Sequence, residues 1–308
     1  MLFRSNVLGT AEPKINAADL ETKGWETSIA WRDQFNMSKS PFRYGLRFII
    51  SDSKAHITKF DNPTGYLDDY YVGQEFGEIW GMQTEGFFKD AEDIKNHADQ
   101  WEVTSYPGDR PIEPGDMKYK DLNNDGEINR GDWTLANPGD FKVIGNSSSR
   151  YNFGLNFDAE WNGFDIRMLV QGVMKRDWYP SGYKFWGIYL APWGNVLEHN
   201  LDHWTPENPD AYFPRLKSYL ANGAGDLAIP QTKYLQNAAY ARLKNITIGY
   251  TLPSAVFRKI GLQRCRLYVS GENLFEYTPL TKTHDPESLN ESEHPFQRTL
   301  SFGLNISL

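Results

Sequence analysis

The residues best spaced for chemistry lie in one acidic loop, Asp121 to Asp132, with the sequence DLNNDGEINRGD. The spacing fits the EF-hand-type calcium loop, in which oxygen ligands recur at positions 1, 3, 5, 7, 9 and 12 around a glycine at position 6. We expect Ile128 to anchor the loop in a local core, whereas position 12 is a short aspartate in place of the usual glutamate. The alternative is a turn that binds nothing. The predicted Ca²⁺ ligands are Asp121, Asn123, Asp125, Glu127, Asn129 and Asp132.

A second candidate site is a segment dense in aromatic residues. Amphipathic aromatic side chains stack on sugar rings and are enriched in protein interfaces. Three interpretations stay open: contact with a partner protein that covers the site, stacking against a substrate, or packing of a long loop on itself. The residues concerned are Trp178, Tyr179, Tyr183, Phe185, Trp186, Tyr189 and Trp193.

No motif predicts catalysis. The sequence contains neither a phosphate-binding glycine loop nor a nucleophile elbow. His199 and His203 have the helical spacing of a zinc site but lack the glutamate of H-E-x-x-H, and Cys265 is expected to be a small apolar strand residue. The formal net charge of -8 argues against a nucleic-acid partner. We therefore predict that the protein is not an enzyme.

The elements that position these residues are predicted from the hairpin Tyr151–Val173. In both of its arms, aromatic and aliphatic residues alternate with polar or charged ones, which indicates β-strands with a different environment on each face. Each arm has about ten residues, the length that a tilted strand needs to cross a bilayer. Transmembrane barrels have this pattern, and a long twisted soluble sheet is the alternative.

Five further segments alternate in the same way, at 24–33, 42–51, 244–252, 266–274 and 299–308. Long connections at 53–149, 174–239 and 274–297 then alternate with short ones at 33–41, 161–163 and 253–263. This order predicts that all long connections lie on the extracellular side, as in outer-membrane barrels. Within them we expect helices near 91–101 and 196–204 and a short strand near 78–84 that is not part of the wall.

The composition agrees with spanning by strands. The mean hydropathy is -0.60 and the aromatic content is 15%, but no segment approaches the roughly 20 apolar residues of a transmembrane helix. The first residues do not resemble a secretory signal peptide, although a membrane barrel must be exported. Seven strands are also too few to close such a barrel. We therefore expect residues 1–308 to be the C-terminal part of a larger barrel.

Several segments, in this order, resemble the SusC/RagA family of TonB-dependent outer-membrane receptors. They are LFRSNVLGTAEPKINAADLETKGWE, KYKDLNNDGEINRGDW, IGNSSSRYNFGLNFDAEWNGFDIRMLVQG, YARLKNITIGYTLP, RLYVSGENLF and the last strand. The resemblance implies an all-β fold, the C-terminal seven strands of a transmembrane barrel of about 22 strands, with long extracellular loops. It also implies a plug domain, which this sequence lacks.

The resemblance implies a nutrient receptor of the Bacteroidetes outer membrane that imports oligosaccharides or peptides. Its expected partners are a SusD-like lipoprotein lid, the TonB complex, which would act through the missing N-terminal part, a glycan or peptide substrate, and membrane lipid. The runner-up is a calcium-stabilised, β-rich surface module that binds carbohydrate without transport. A glycoside hydrolase, which needs two carboxylates at a defined separation, is a distant third.

Overall fold

The computed structural model describes residues 17–104, 111–222, 225–253, 261–290 and 294–307. Seven long strands form one antiparallel sheet in chain order, which we call the wall. The wall strands are β1 (Ala18–Met37), β2 (Ser40–Phe60), β7 (Arg150–Trp161), β8 (Phe164–Lys175), β11 (Tyr240–Thr251), β12 (Arg264–Tyr277) and β13 (Thr299–Ser307). They confirm the seven predicted strands and the alternation of short and long connections between them.

The long connections contain short elements. Their strands are β3 (Glu78–Met82), β4 (Thr84–Phe87), β5 (Met117–Tyr119), β6 (Phe141–Asn146), β9 (Asp177–Trp178) and β10 (Gln236–Asn237). Their helices are α1 (Ala91–Lys95), α2 (Trp101–Thr104) and α3 (Tyr183–Trp186), with 3₁₀ turns at Gly187–Tyr189 and Glu198–Leu201. Among the described residues, no helix combines the length and the apolar character needed to cross a membrane.

Two tight turns close the wall hairpins β1–β2 and β7–β8. Ser38 and Lys39 have φ angles of 52° and 70°, and Asn162 and Gly163 have φ angles of 47° and 87°. Positive φ at both central residues defines the type I′ turn, whose twist matches that of the flanking strands. The Asn-Gly turn was predicted from the sequence. The connection predicted over 33–41 is wrong in its length, because strand pairing continues to Met37 on β1 and Ser40 on β2.

Both predicted helices are shorter than expected. The segment 91–101 contains α1 and only the first residue of α2. In the interval between them, Asp99 bonds to the acidic loop through its N–H to the Gly126 carbonyl (2.9 Å) and its carbonyl to the Ile128 N–H (2.6 Å). The segment 196–204 has only one 3₁₀ turn, since the Trp204 N–H pairs with the Phe213 carbonyl at 2.9 Å. In both places a bond to a distant segment replaces the next helical turn.

The largest apolar core lies outside the wall. The described parts of 61–149 and 176–239 pack together into one unit, which we call the loop body. Its core combines residues of both insertions: Met82, Phe87, Val103, Met117, Tyr119, Ile128 and Phe141 from the first, and Phe185, Trp186, Tyr189, Phe213, Leu220, Leu227, Ile229 and Tyr234 from the second. The two insertions are therefore parts of a single folded body.

Candidate functional site

One face of the wall carries apolar side chains on all seven strands, although Asp33 of the edge strand β1 pairs with Tyr44 on the same face. One row of paired residues consists of Trp31, Leu46, Phe157, Met168 and Ile246. The next row consists of Tyr44, Ala159, Ile166, Ile248, Val269 and Phe302. Many side chains of this face are uncovered: Phe302 of β13 is 81% exposed, and Ile29 of β1 is 64% exposed. A soluble sandwich would cover this face with a second sheet, whereas a membrane barrel leaves it to lipid.

Aromatic side chains gather at both ends of the apolar face. At the short-turn end, Phe35 lies 5.1 Å from Phe42 and Phe164 lies 4.4 Å from Tyr250, measured between ring centroids. At the other end of β12, Tyr277 is 78% exposed. From Leu267, which pairs with Tyr250, to Tyr277 a strand advances about 33 Å. A strand tilted by about 40° needs that length to cross an apolar band about 25 Å tall.

The opposite face of the wall is polar. One row of paired residues consists of Arg32, Gly45, Asp158, Arg167, Thr247, Ser270 and Ser301. The polar residues Asn156, Glu160, Asp165, Arg167 and Glu272 all lie on this face. A cavity of about 640 Å³ opens there, between Glu160, Arg167 and Arg264. Within the described residues these three side chains form no ion pair, so their charges face the space that the wall bounds.

The ion pair Arg266–Asp165 is an exception on this face. The guanidinium donates from Nε to Oδ2 at 2.8 Å and from Nη2 to Oδ1 at 2.5 Å. Asp165 belongs to β8 and Arg266 to β12, so the pair crosses the intervening strand β11. Because a bidentate pair holds both side chains in one geometry, this bond fixes the relative position of three strands.

A cluster of charges fastens the last long connection to the upper end of the wall. Arg242 of β11 is 3% exposed and donates from Nη2 to both carboxylate oxygens of Asp285, at 2.8 and 2.7 Å. It also bonds to Glu276 of β12 and lies 2.7 Å from Glu287. Phe296 stacks on its guanidinium at 5.0 Å. The sequence did not predict this cluster, because the predicted strand begins at residue 244, after Arg242.

The aromatic segment divides into buried and exposed members. Phe185, Trp186 and Tyr189 are at most 1% exposed and belong to the core of the loop body. In this conformation they cannot contact a lid or a substrate. For these three residues the burial favours the third interpretation, packing of the loop on itself. Burial raises the pKa of the Tyr189 hydroxyl well above its usual range.

The remaining aromatic residues of the segment lie nearer the surface. Trp193 is 80% exposed and packs edge-on against Tyr219, at 6.1 Å between ring centroids. Trp178 packs against His284 of the last connection at 4.6 Å. Tyr179 donates its hydroxyl to the Leu227 carbonyl at 2.8 Å, and Tyr183 accepts from the Asn195 N–H. Trp193 is therefore the member of this set best placed to contact a partner protein.

The acidic loop has the beginning of an EF-hand turn. The Asp121 carboxylate accepts from the N–H groups of Asn124 (2.6 Å) and Gly126 (3.0 Å), and Gly126 has a φ of 87°. Ile128 is 1% exposed, as predicted for the anchor. The closing half differs, since Asp132 accepts from the Asn137 amide at 3.0 Å.

The backbone turn therefore resembles an EF-hand loop only in its first part. Among the described residues, no three His, Cys, Asp or Glu side chains form a group that could hold a metal ion. The side chains of Asn129 and Asp125 accept from backbone N–H groups two residues ahead, at 2.7 and 2.9 Å. Calcium binding stays a prediction.

A long antiparallel sheet with one apolar and one polar face, edged by aromatic residues, is the wall of a transmembrane β-barrel. The chain is 26% identical over 327 residues to TonB-dependent receptor P3 of Formosa agariphila. The aligned region covers 94% of this chain and 29% of the relative. TonB-dependent receptor P39 of the same organism is 22% identical, covering 97% of this chain and 31% of the relative. The chain thus spans about three tenths of the length of these curated relatives. No protein-family model matches it.

Solved structures agree on the fold. The RagAB peptide transporter superimposes with a TM-score of 0.69 at 16% identity, over 98% of this chain and 31% of that one. The RagAB peptide importer in its 'open-open' state gives a TM-score of 0.64 at 16% identity, over 99% of this chain and 30% of that one. These similarities confirm the predicted resemblance to TonB-dependent receptors of the SusC/RagA type and the all-β barrel-wall fold.

Proposed function

We propose that this chain forms part of the wall of an outer-membrane TonB-dependent receptor that imports a bulky nutrient, either oligosaccharides or peptides. The observation that carries the proposal is the two-faced wall, which has apolar side chains on one side and polar or charged ones on the other. A surface module that only binds carbohydrate has no need of an exposed apolar face of this extent.

Each face of the wall has its own part in this function. The apolar face contacts membrane lipid. The inner face, where Glu160, Arg167 and Arg264 line a cavity, contacts the plug domain or lines the path of the nutrient. The loop body stands outside the cell, above the barrel mouth. Neither face has a role in covalent chemistry, so we propose a receptor and not an enzyme.

The partners follow from the same proposal. The loop body meets a SusD-like lipoprotein lid, and Trp193 supplies an exposed aromatic anchor for that contact. Energy for import comes from the TonB complex, acting through a part of the receptor other than these residues. The solved relatives are named as peptide transporters, which favours peptides as the first substrates to test.

We also propose that calcium orders the acidic loop. The Asp121 turn, the positive φ of Gly126 and the buried Ile128 support this proposal. The ion would have a structural role: it would draw Asp132 away from Asn137 and close the loop beside the core that it borders.

The orientation is tested by cysteine labelling in a Cys265→Ser background. Glu207→Cys places a thiol on the exposed surface of the loop body, and Gln263→Cys places one at a short connection. A membrane-impermeant maleimide added to intact cells should label position 207 only, and permeabilised cells should be labelled at both positions. Labelling of both positions in intact cells would contradict the barrel and favour the surface module.

Transport itself is tested by growth. A strain whose gene for the intact receptor is deleted should lose growth on one nutrient class, peptides or oligosaccharides, supplied as the sole source. Wild-type receptor should restore it, and so should a receptor with the double variant Glu207→Cys, Cys265→Ser, which serves as a control. Undiminished growth of the deletion strain on both classes would contradict import of either.

A further inference from the structure

The two insertions of the loop body are joined by a short stretch of backbone pairing. The Met82 N–H donates to the Pro230 carbonyl at 2.9 Å, and the Thr232 N–H donates to the Met82 carbonyl at 3.0 Å. The Thr84 N–H adds a bond to the Thr232 hydroxyl at 3.0 Å. We call residues 82–84 and 230–232 the junction. It holds the first insertion to the second by main-chain bonds, as does the bond from the Arg215 N–H to the Gly115 carbonyl at 3.0 Å.

A carboxyl group is buried directly beside the junction. Asp226 is 2% exposed, and its backbone carbonyl accepts from the Tyr119 hydroxyl and from Gln231 Nε2, each at 3.0 Å. Gln231 Nε2 also donates to the Tyr119 hydroxyl at 3.1 Å. Tyr119 belongs to the first insertion, whereas Asp226 and Gln231 belong to the second. This small network thus links the two insertions through side chains.

Two oxygen atoms of this network have no hydrogen-bond donor. Among the described residues, neither Oδ1 of Asp226 nor Oε1 of Gln231 has a partner, although both side chains are buried. Burying an acceptor without a donor is unfavourable, and more so when the oxygen belongs to a charged carboxylate. The N–H groups of Asp226 and Leu227 offset only part of this cost, because the pKa is still raised. A protonated carboxyl group carries a donor of its own, which changes one of the two acceptors into a donor.

We propose that Asp226 is a proton-dependent latch of the loop body: while its carboxyl group is protonated the two insertions stay joined, and its ionisation loosens the junction. The proton goes to solvent as the loop body opens and returns when it closes. This inference is independent of what the receptor transports, since it concerns the packing of the two insertions alone.

The charges around Asp226 support the protonated form. From the first insertion, Asp116 and the Tyr119 hydroxyl face it, and the negative charge of Asp116 opposes a further negative charge. From the second insertion, Lys217 and the Tyr179 hydroxyl face it. Lys217 would favour ionisation, but its ammonium group already pairs with Asp116 at 3.2 Å. Burial, with the nearby Asp116 charge, raises the pKa of Asp226 from its ordinary 3.8 to about 7.

The direction of the pH effect follows from this pKa. The pKa in the closed state lies above that of an exposed aspartate, so the open state releases the proton first as the pH rises. Junction stability is greatest below pH 3.8, falls as the pH rises toward about 7, and stays low above that value. From pH 5 to pH 8 the opening equilibrium should shift on the order of a hundredfold toward the open state.

Hydrogen exchange of the full-length protein in detergent measures this shift. The amides to follow are those of Met82 and Thr232, corrected for the pH dependence of intrinsic exchange. In the wild type their protection should fall by tenfold to a hundredfold between pH 5 and pH 8. In Asp226→Asn, where the amide donates at every pH, protection should stay constant. Equal wild-type protection at both values, or an unchanged pH response in Asp226→Asn, would overturn the proposal.

The matched control is Asp140→Asn. Asp140 is equally buried, but each of its two carboxylate oxygens accepts a backbone bond, from the N–H groups of Leu122 (2.7 Å) and Asn129 (2.9 Å). This variant should retain the wild-type pH response of the junction. A second measurement needs no variant: infrared difference spectra with ¹³C-labelled aspartate should show a protonated carboxyl band that disappears with a midpoint near pH 7. The absence of that band at pH 5 would refute the latch.

Discussion

Gly249 of β11 leaves the space that the guanidinium of Arg266 occupies on the inner face of the wall. A Cβ atom built on Gly249 would lie 2.4 Å from Nη2 and 2.5 Å from Nε of Arg266. Real Cβ atoms do not approach other heavy atoms this closely, so a side chain here and the present position of Arg266 exclude each other. The missing side chain allows Arg266 to reach Asp165 across a whole strand.

The substitution Gly249→Ala should therefore break the Arg266–Asp165 pair. The half-buried carboxylate of Asp165 loses its partner, and we expect a loss of about 1–3 kcal/mol in the free energy of unfolding. Gly154→Ala is the matched control, because a Cβ there meets nothing within 4 Å on the same face. Unfolding in urea with the receptor in detergent measures both. Equal stability of the two variants would show that the pair adds nothing to the wall.

Two tryptophans of the aromatic segment should behave in opposite ways. Trp186 is 1% exposed, packs edge-on against Phe185 at 4.7 Å, and donates its indole N–H to the Pro180 carbonyl at 2.9 Å. Trp186→Ala should destabilise the loop body by about 3–5 kcal/mol. Trp193→Ala removes an exposed side chain and should change stability by about 0.5 kcal/mol or less.

The same pair of variants tests the contact with the lipoprotein. Trp193→Ala should weaken co-purification of the lipoprotein while leaving the thermal melting curve of the receptor unchanged. Trp186→Ala should lower the melting temperature. If Trp193→Ala binds the lipoprotein as well as the wild type does, the anchor must be sought elsewhere on the loop body.

The wall could be predicted from the sequence because the residue pattern within each strand indicates the environment of its two faces. Alternation in Tyr151–Trp161 separates two faces without reference to any other segment, and the Asn162–Gly163 dipeptide marks the turn. The Ser38–Lys39 turn carries no such mark, and the strands were predicted to end early there. Strand ends are decided by cross-strand neighbours such as Phe35 and Phe42, which a single segment does not reveal.

The loop body could not be predicted in the same way. Its core brings Tyr119 against Gln231 and Met82 against Pro230, pairs separated by more than a hundred positions. No periodicity connects such segments, so a buried residue such as Trp186 and an exposed one such as Trp193 look alike in the sequence. Asp226 likewise has no motif; only the packing around it distinguishes it from other aspartates in turns.

Arg242 should be essential for holding the last long connection. Replacing it by Met leaves the carboxylates of Asp285 and Glu287, which are 7% and 12% exposed, without their main partner. Removing one member of a buried ionic cluster costs about 3–5 kcal/mol. We expect faster hydrogen exchange at the Ser288 amide, which now donates to the Asp285 carbonyl at 2.9 Å.

Lys244→Met is the matched control for Arg242→Met. Lys244 lies on the same strand, but among the described residues its ion pairing is confined to Glu287, and its side chain is 20% exposed. Such a partly exposed pair contributes about 1 kcal/mol or less, so exchange at Ser288 should rise only slightly. A Lys244 effect as large as that of Arg242 would mean that general charge balance, and not the buried bonds to Asp285, holds the connection.

Calcium should stabilise the acidic loop in proportion to its occupancy. An ion that binds only the folded loop adds about 1.4 kcal/mol at a concentration ten times its dissociation constant. Because Asp132 is short and engaged with Asn137, we expect weak binding, in the range of about 10⁻⁴–10⁻³ M that is usual for extracellular calcium modules. Adding millimolar calcium should slow exchange of the Gly126 and Ile128 amides, and a chelator should reverse the effect.

Asp121→Asn distinguishes binding from a simple turn. An asparagine keeps one acceptor oxygen, so it can retain the bond from either the Asn124 N–H or the Gly126 N–H but not both, and one of the charged ligands is lost. Binding should weaken at least tenfold, measured as the calcium response of the variant relative to the same variant without calcium. Asp210→Asn, at an exposed site of the second insertion, should keep the full calcium response. If millimolar calcium changes neither amide in the wild type, the segment is an Asp- and Gly-rich turn whose only role is to present Ile128 to the core.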